Sequence, residues 1–220
     1  MSSDNTLLVD SVHLEFGRTQ VLQSAFLTAR TGRVTGLLGR NGTGKSCLFK
    51  CIMGGIKPQN MFIRFNEERD TDYGHIGKRV KYLPQQVFLP GSMTLGEAYS
   101  LYGVDYDGLV TFDPRFHPYQ RRRVKEMSGG EVRVAEMYLI LNAEAEFCIL
   151  DEPFSNIAPK YVEKMQQMIR EQKERKGIII SDHLYESVIG VTDDLFLIRD
   201  GYTFVIKSRE DLIQNGYILR

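Results

Sequence analysis

Residues Gly39-Arg40-Asn41-Gly42-Thr43-Gly44-Lys45-Ser46 satisfy the pattern G-x-x-x-x-G-K-[ST]. Glycines at this spacing let successive backbone N–H groups turn inward around an anion, and the closing lysine and hydroxyl add a cation and a magnesium ligand. The chemistry implied is capture of a nucleoside triphosphate tail, with Lys45 along the β- and γ-phosphates and Ser46 on magnesium. The flanks fit that purpose. Arg33 to Leu38 is a short apolar run that reads as a buried strand, and Cys47 to Met53 reads as a helix closed by Gly54-Gly55. Strand, glycine loop and helix in that order aim the free N–H groups and positive dipole end of the helix at the phosphates. A glycine-rich turn with a solvated lysine would not need those flanks.

Two carboxylates, Asp151 and Glu152, end the apolar run Phe147-Cys148-Ile149-Leu150. A buried strand delivers its last side chains at the carboxyl edge of the sheet, beside a phosphate loop. There Asp151 holds the magnesium shell, and Glu152 orients or deprotonates an attacking water. Alone, such a pair reads equally well as a helix cap or solvated turn. Met127-Ser128-Gly129-Gly130-Glu131 puts a hydroxyl and two glycines before a helix, which is either a cap or a second anion-binding end. Ile178-Ile179-Ile180-Ser181-Asp182-His183 ends a buried strand with a histidine within reach of a γ-phosphate. The four motifs in this order point to ATP hydrolysis.

The elements that must position these residues follow from apolar periodicity. Leu7 to Val9, Val12 to Phe16 and Val21 to Thr28 alternate as antiparallel strands broken at Gly17-Arg18, and 61 to 66 and 79 to 83 add short strands. Residues 93 to 125 predict short helices and loops. Glu131 to Leu141 predicts a helix, Phe147 to Leu150 a strand, Lys160 to Lys176 a charged amphipathic helix and Gly177 to Ser181 another strand, the alternation of a parallel sheet with crossover helices. Leu195 to Ile198 and Tyr202 to Ile206, turning at Asp200-Gly201, predict a terminal hairpin.

With 220 residues the chain fits one domain, and 28 basic against 28 acidic side chains leave no broad footprint for nucleic acid or anionic lipid. No apolar run approaches the roughly 20 residues that span a bilayer, and the polar start is not a secretory signal, so a cytoplasmic chain is expected. Cys47, Cys51 and Cys148 have no metal-type clustering and read as small buried thiols. His13, His75 and His117 read as structural or surface residues, Arg121 to Arg123 with Lys125 as a solvated face, and Met165, Met168 and Ile169 as core. Tyr99, Leu101 and Tyr102 are the candidates for lining a partner groove.

Together the motifs resemble the ATP-binding cassette (ABC) ATPases over nearly the whole chain, loosely most like those of lipopolysaccharide export and branched-chain amino acid uptake. The resemblance implies an α/β fold with three parts: a P-loop NTPase core with a parallel sheet, an antiparallel β-subdomain, and a small helical subdomain inserted over about 86–140 of the single domain 1–220. It implies ATP and Mg²⁺ as ligands. Phe16 takes the place of the aromatic that stacks on adenine; Gly39, Arg40, Asn41, Gly42, Thr43, Gly44, Lys45, Ser46 and Cys47 hold the phosphates. Gln85, in Tyr82-Leu83-Pro84-Gln85, senses magnesium and the attacking water. Ser128, Gly129 and Gly130 match the signature that meets the γ-phosphate on a second subunit, and Ser46, Gln85 and Asp151 surround the metal. Glu152, His183, Gln85 and Lys45 match the catalytic set.

The implied function is the ATP-hydrolysing subunit of a membrane transporter. It pairs head to tail with a second ABC subunit, identical or different, and lies against the inner face of the membrane through a permease; no nucleic-acid partner is implied. Alternatives are a soluble ATPase serving a cytosolic assembly scaffold and a slow-hydrolysing clamp. The chain departs from the pattern in places. Met127 replaces a leucine, Phe16 a tyrosine, and Val132 and Val134 stand where basic residues are common. The tetrapeptide Ser155-Asn156-Ile157-Ala158 ends in alanine where the family has an aspartate that couples the two ATP sites, which predicts weaker coupling and slower hydrolysis. The segment between Gln85 and Ser128 is also shorter than is common.

Overall fold

The computed structural model describes residues 5–155, 157–183 and 185–219. The polar start expected to be no secretory signal lies largely outside them. Among these residues ten strands form one sheet. Strands β1 (Thr6–Phe16) and β2 (Thr19–Arg30) pair antiparallel around the Gly17-Arg18 turn, and β1 also pairs with β4 (Asn60–Phe65), which pairs with β5 (Glu68–Asp70). Strands β3 (Val34–Leu38), β6 (Val80–Leu83), β7 (Phe147–Asp151), β8 (Gly177–Ser181) and β9 (Asp194–Arg199) run parallel, and β10 (Tyr202–Ile206) closes a hairpin with β9. The order is β5-β4-β1-β2-β10-β9-β3-β8-β7-β6. An antiparallel half is thus continuous with a parallel half, joined where Tyr202 pairs with Ser24.

The parallel strands are apolar throughout because both faces are covered. Their side chains alternate between two cores. Leu37, Phe147, Ile149 and Ile179 face α1 (Lys45–Ile52) and the antiparallel strands, with Leu48, Phe49, Leu7 and Leu27. Leu38, Cys148, Leu150, Ile178 and Ile180 face the other way, against α5 (Gly129–Asn142) and α6 (Pro159–Gln172). Helices α3 (Leu95–Tyr102) and α4 (Tyr106–Phe112) and a 3-10 turn at Pro114–Tyr119 fill the predicted mixed stretch.

Four short elements were not predicted: β5, α2 (Tyr73–Arg79), α7 (Tyr185–Ile189) and α8 (Arg209–Gln214). Each is short and polar, with little periodicity to read. Helix α6 ends at Gln172, short of Lys176. Lys176 turns in to donate to Ala143 O at 2.7 Å. The hairpin is not terminal either: α8 follows it, and Arg40 Nη2 then donates to Gly216 O at 3.0 Å, which returns the chain to the phosphate loop. Cys51 and Cys148 are buried and Cys47 is half-buried, all as free thiols.

Candidate nucleotide-binding and hydrolysis site

The phosphate loop leaves the end of β3 and enters α1 through glycines that the backbone requires. Gly42 and Gly44 sit at φ 81° and 102°, where a side chain is strained. Gly39 is required by packing, since a Cβ there would lie 2.5 Å from Ile198 Cγ2 and 2.6 Å from Thr43 Oγ1. Gly44 caps α1 from the left-handed region and lies against Val21 and Leu22 of β2, so the tip of the β1–β2 hairpin, with Phe16 half exposed, belongs to the same neighbourhood. Arg40 and Asn41 are exposed, while Thr43 Oγ1 donates to Arg40 O at 2.8 Å. Lys45 is buried, and its ammonium donates to the carbonyl oxygens of Gly39 at 2.8 Å and Arg40 at 3.2 Å. Burial pulls its pKa below the usual lysine range, against the opposing charges of Glu152, Asp151 and Asp182. Ser46 and Cys47 follow on the first turn of α1, half-buried.

The two carboxylates leave β7 in different surroundings. Asp151 is fully buried and accepts from Ser181 Oγ at 2.9 Å and Tyr82 OH at 3.1 Å. Burial first, then the Asp151 charge, pushes the Tyr82 phenol up, so it remains a donor. Glu152 turns into the left-handed region at φ 49°, and its N–H donates to Ser181 O at 2.7 Å. Its Oε2 accepts from Gln85 Nε2 at 2.8 Å, with Ser155 Oγ at 3.5 Å and His183 Nδ1 at 3.8 Å. His183 is half exposed and also lies 3.3 Å from Asp182 Oδ1, while Asp182 Oδ2 accepts the Phe154 N–H at 2.9 Å. The loops after β6, β7 and β8 therefore bring Gln85, Glu152 and His183 together beside Asp151.

The signature residues stand apart. Ser128 is the exposed N-cap of α5 and forms a reciprocal capping box with Glu131, its Oγ 2.8 Å from Glu131 Oε2. A Cβ added to Gly129 would meet nothing within 4 Å, so no packing contact among the described residues requires the glycine. Among the described residues no hydrogen bond joins Ser128 or Gly129 to the phosphate loop. Gly130 continues the same helix. Ala158 is the N-cap of α6 and offers no capping side chain. Asn156, in the same tetrapeptide, lies outside the described residues.

Tyr99 does not line a groove. It is buried, donating to Ala135 O at 2.8 Å with its ring against Tyr106 and Tyr138, because aromatic bulk at that turn faces α5. Leu101 and Tyr102 do line a cleft of about 480 Å³, opposite Met53, Tyr82 and Ile140, and Leu101 is 72% exposed. Sequence reasoning passed over Tyr82 and Ser181, although both were legible as polar side chains at or near the ends of apolar strands that flank β7.

A phosphate loop between a parallel strand and a helix, in a mixed sheet of this order, defines the class as a P-loop ATPase. Residues 22–155 match the family model described as ABC transporter. The chain belongs to the ABC transporter family, as an ATP-binding and ATP-hydrolysing subunit. It is 27% identical to the lipopolysaccharide export system ATP-binding protein LptB of Acidithiobacillus ferridurans, over 96% of this chain and 94% of the relative. It is 26% identical to the galactose/methyl galactoside import ATP-binding protein MglA of Treponema denticola, over 93% of this chain but 45% of that longer protein. A solved structure of an ATP-binding subunit of an ABC transporter superposes with a TM-score of 0.78 at 23% identity, over 96% of this chain and 93% of the other, and shows the shared fold.

Proposed function

We propose that the chain hydrolyses ATP with Glu152 as general base and works in a head-to-tail pair beneath a permease. The convergence of Gln85 and His183 on Glu152, beside Asp151 and the phosphate loop, carries this reading. Phe16 supplies the exposed face for adenine, and the N–H groups of the loop and of Ser46 and Cys47 receive the phosphates. Lys45 already points its ammonium across that loop, so a triphosphate replaces two carbonyl partners with anionic ones. Ser46 and Asp151 offer hard oxygens, the donor type magnesium prefers, and would hold the ion beside the phosphates. Among the described residues no cluster of three or more His, Cys, Asp or Glu forms a metal site by itself. When bound, magnesium neutralises phosphate charge. Glu152 takes the proton of the attacking water, Gln85 orients the carboxylate, and His183 lies within reach of the γ-phosphate.

The exposed Ser128 and the open space over Gly129 suit contact with the nucleotide of a second subunit. Residues 86–140 form the helical subdomain that carries them. The cleft of Leu101, Tyr102, Met53 and Ile140 suits an apolar helix of a permease, and Tyr82 joins that cleft to Asp151. In this reading the permease provides the membrane passage; among the described residues no helix of this chain is long and apolar enough to cross a membrane. The relatives include one named for export and one for import, and the direction of transport follows from the permease.

ATP-dependent dimerisation and phosphate release, compared for wild type and Glu152→Gln, test the proposal. Turnover by wild type and a trapped ATP dimer in the variant are expected. A variant that hydrolyses as fast as wild type removes Glu152 as base. Leu101→Glu is expected to abolish co-purification with a polytopic membrane protein, and recovery only with soluble scaffold proteins would favour the cytosolic alternative. A second reading, a clamp that closes on ATP and hydrolyses slowly, draws on Ala158 and predicts ATP dimers in wild type itself.

A further inference from the structure

Helix α5 carries two buried charges that the site described so far does not use. Arg133 is 5% exposed and Glu136 is fully buried, one turn apart among Val132, Val134, Ala135 and Met137. Arg133 donates from Nη1 to Pro84 O at 2.6 Å, and from Nη2 to Asp151 O at 2.6 Å and Glu152 O at 2.9 Å. Glu136 Oε1 accepts the N–H groups of Phe88 at 2.8 Å and Leu89 at 3.0 Å. Its Oε2 makes no hydrogen bond among the described residues and lies 4.0 Å from Arg133 Nη1. The two side chains therefore hold both ends of the loop that carries Gln85, and the carbonyls on either side of the Glu152 nitrogen and side chain.

Burying such a pair is a poor route to stability, because apolar residues of similar volume pack without the desolvation penalty. Its geometry suggests another return. Glu152 sits at φ 49°, a conformation that persists in a non-glycine residue only where its surroundings hold it. A planar guanidinium reaches three carbonyl oxygens in fixed directions, which a single ammonium cannot copy. We propose that Arg133 and Glu136 are positioning residues for hydrolysis, holding the strained Glu152 backbone and the Gln85 loop so that the two side chains meet. Helix α5 begins at Ser128, so the element that presents the signature also sets the base. This inference rests on Glu152 acting as the base.

Arg133→Lys in the full chain, with the partners that support turnover, tests it by two readouts. Hydrogen exchange is expected to rise together in the segments 84–90 and 151–155, two loops remote in sequence. The kcat is expected to fall at least tenfold while KM for ATP stays within threefold. Exchange unchanged in either segment, or kcat and ATP affinity lost in parallel as for a merely structural residue, would overturn the proposal. If Arg133→Lys does not fold, Glu136→Gln keeps an acceptor for Phe88 and Leu89 and removes only the charge facing Arg133. It is expected to lower kcat three- to tenfold with KM unchanged, and wild-type kcat and exchange in that variant would equally overturn the idea. Glu152→Gln serves as control: if it leaves turnover intact, the base assignment fails, while the exchange result still judges the pair.

Discussion

Gln85 Nε2 and Glu152 Oε2 lie 2.8 Å apart although 67 positions separate them in the chain. The pairing of β6 with β7 explains it: Leu83 and Leu150 are register partners, and each strand releases its functional residue two positions later. Gln85→Ala is expected to lower kcat by about tenfold, a loss of about 1.4 kcal/mol in transition-state stabilisation, with KM for ATP within twofold. Loss of ATP affinity of the same size would assign Gln85 to binding.

Gly129 opens α5 with free space where a Cβ would stand. Gly129→Ala is therefore expected to leave the melting temperature unchanged or slightly raised, since alanine is the better helix former by up to about 1 kcal/mol. ATP-dependent dimerisation should nevertheless be lost, because the added methyl group stands where a neighbouring subunit's phosphate would approach. Dimers that persist would place the signature away from the interface.

Ala158 occupies an N-cap with extended backbone and no side-chain bond. Ala158→Asp should therefore act twice. The carboxylate caps α6 and faces the positive end of its dipole, adding about 1 kcal/mol of stability. In the proposed head-to-tail pair it also supplies a carboxylate between the two ATP sites and should raise turnover. Thermal melting and phosphate release separate the effects, and a higher melting temperature with unchanged turnover would leave only the cap.

Lys45 makes stability depend on pH in a definite direction. Burial depresses its folded pKa below the ordinary 10.5, so between the two values the unfolded chain binds more protons and stability rises with pH. The gain is complete above 10.5 and is lost as pH falls through the folded value. Denaturant titrations at a series of alkaline pH values are expected to show this rise in wild type and to lack it in Lys45→Met. Saturating MgATP should flatten it, because phosphate charge favours the protonated amine. A rise of equal size in the variant would trace it to other groups.

Much of the geometry of the candidate phosphate loop was legible because its constraints are local. Gly42 and Gly44 announce a backbone that needs positive φ, and the strand and helix around them are short and strongly apolar. Asp151 and Ser181 were equally readable as residues at strand ends, but their direct contact depends on β7 lying beside β8, which no spacing within the chain states. Glu152 was visible as a carboxylate, whereas its left-handed backbone was not. Tyr99 was misplaced because an aromatic in a half-apolar helix can face either neighbour, and the choice was made by α5. Arg133 and Glu136 escaped for a related reason: charged residues one turn apart usually mark a solvated face, and here the solvent side is closed by the Gln85 loop and the end of β7.

Strand β6 comes last in the sheet order, joined to β7 by the four register pairs from Val80–Phe147 to Leu83–Leu150. The strands β7, β8, β3 and β9 are each stitched on both sides. Among the described residues β6 is thus hydrogen-bonded to the sheet along one seam, with Arg133 and Glu136 of α5 tying down the loop that follows it, whereas the strand before the phosphate loop is stitched on both sides. In the proposed transporter, Gln85 therefore hangs at the margin of the fabric, while the loop that takes the phosphates springs from its interior.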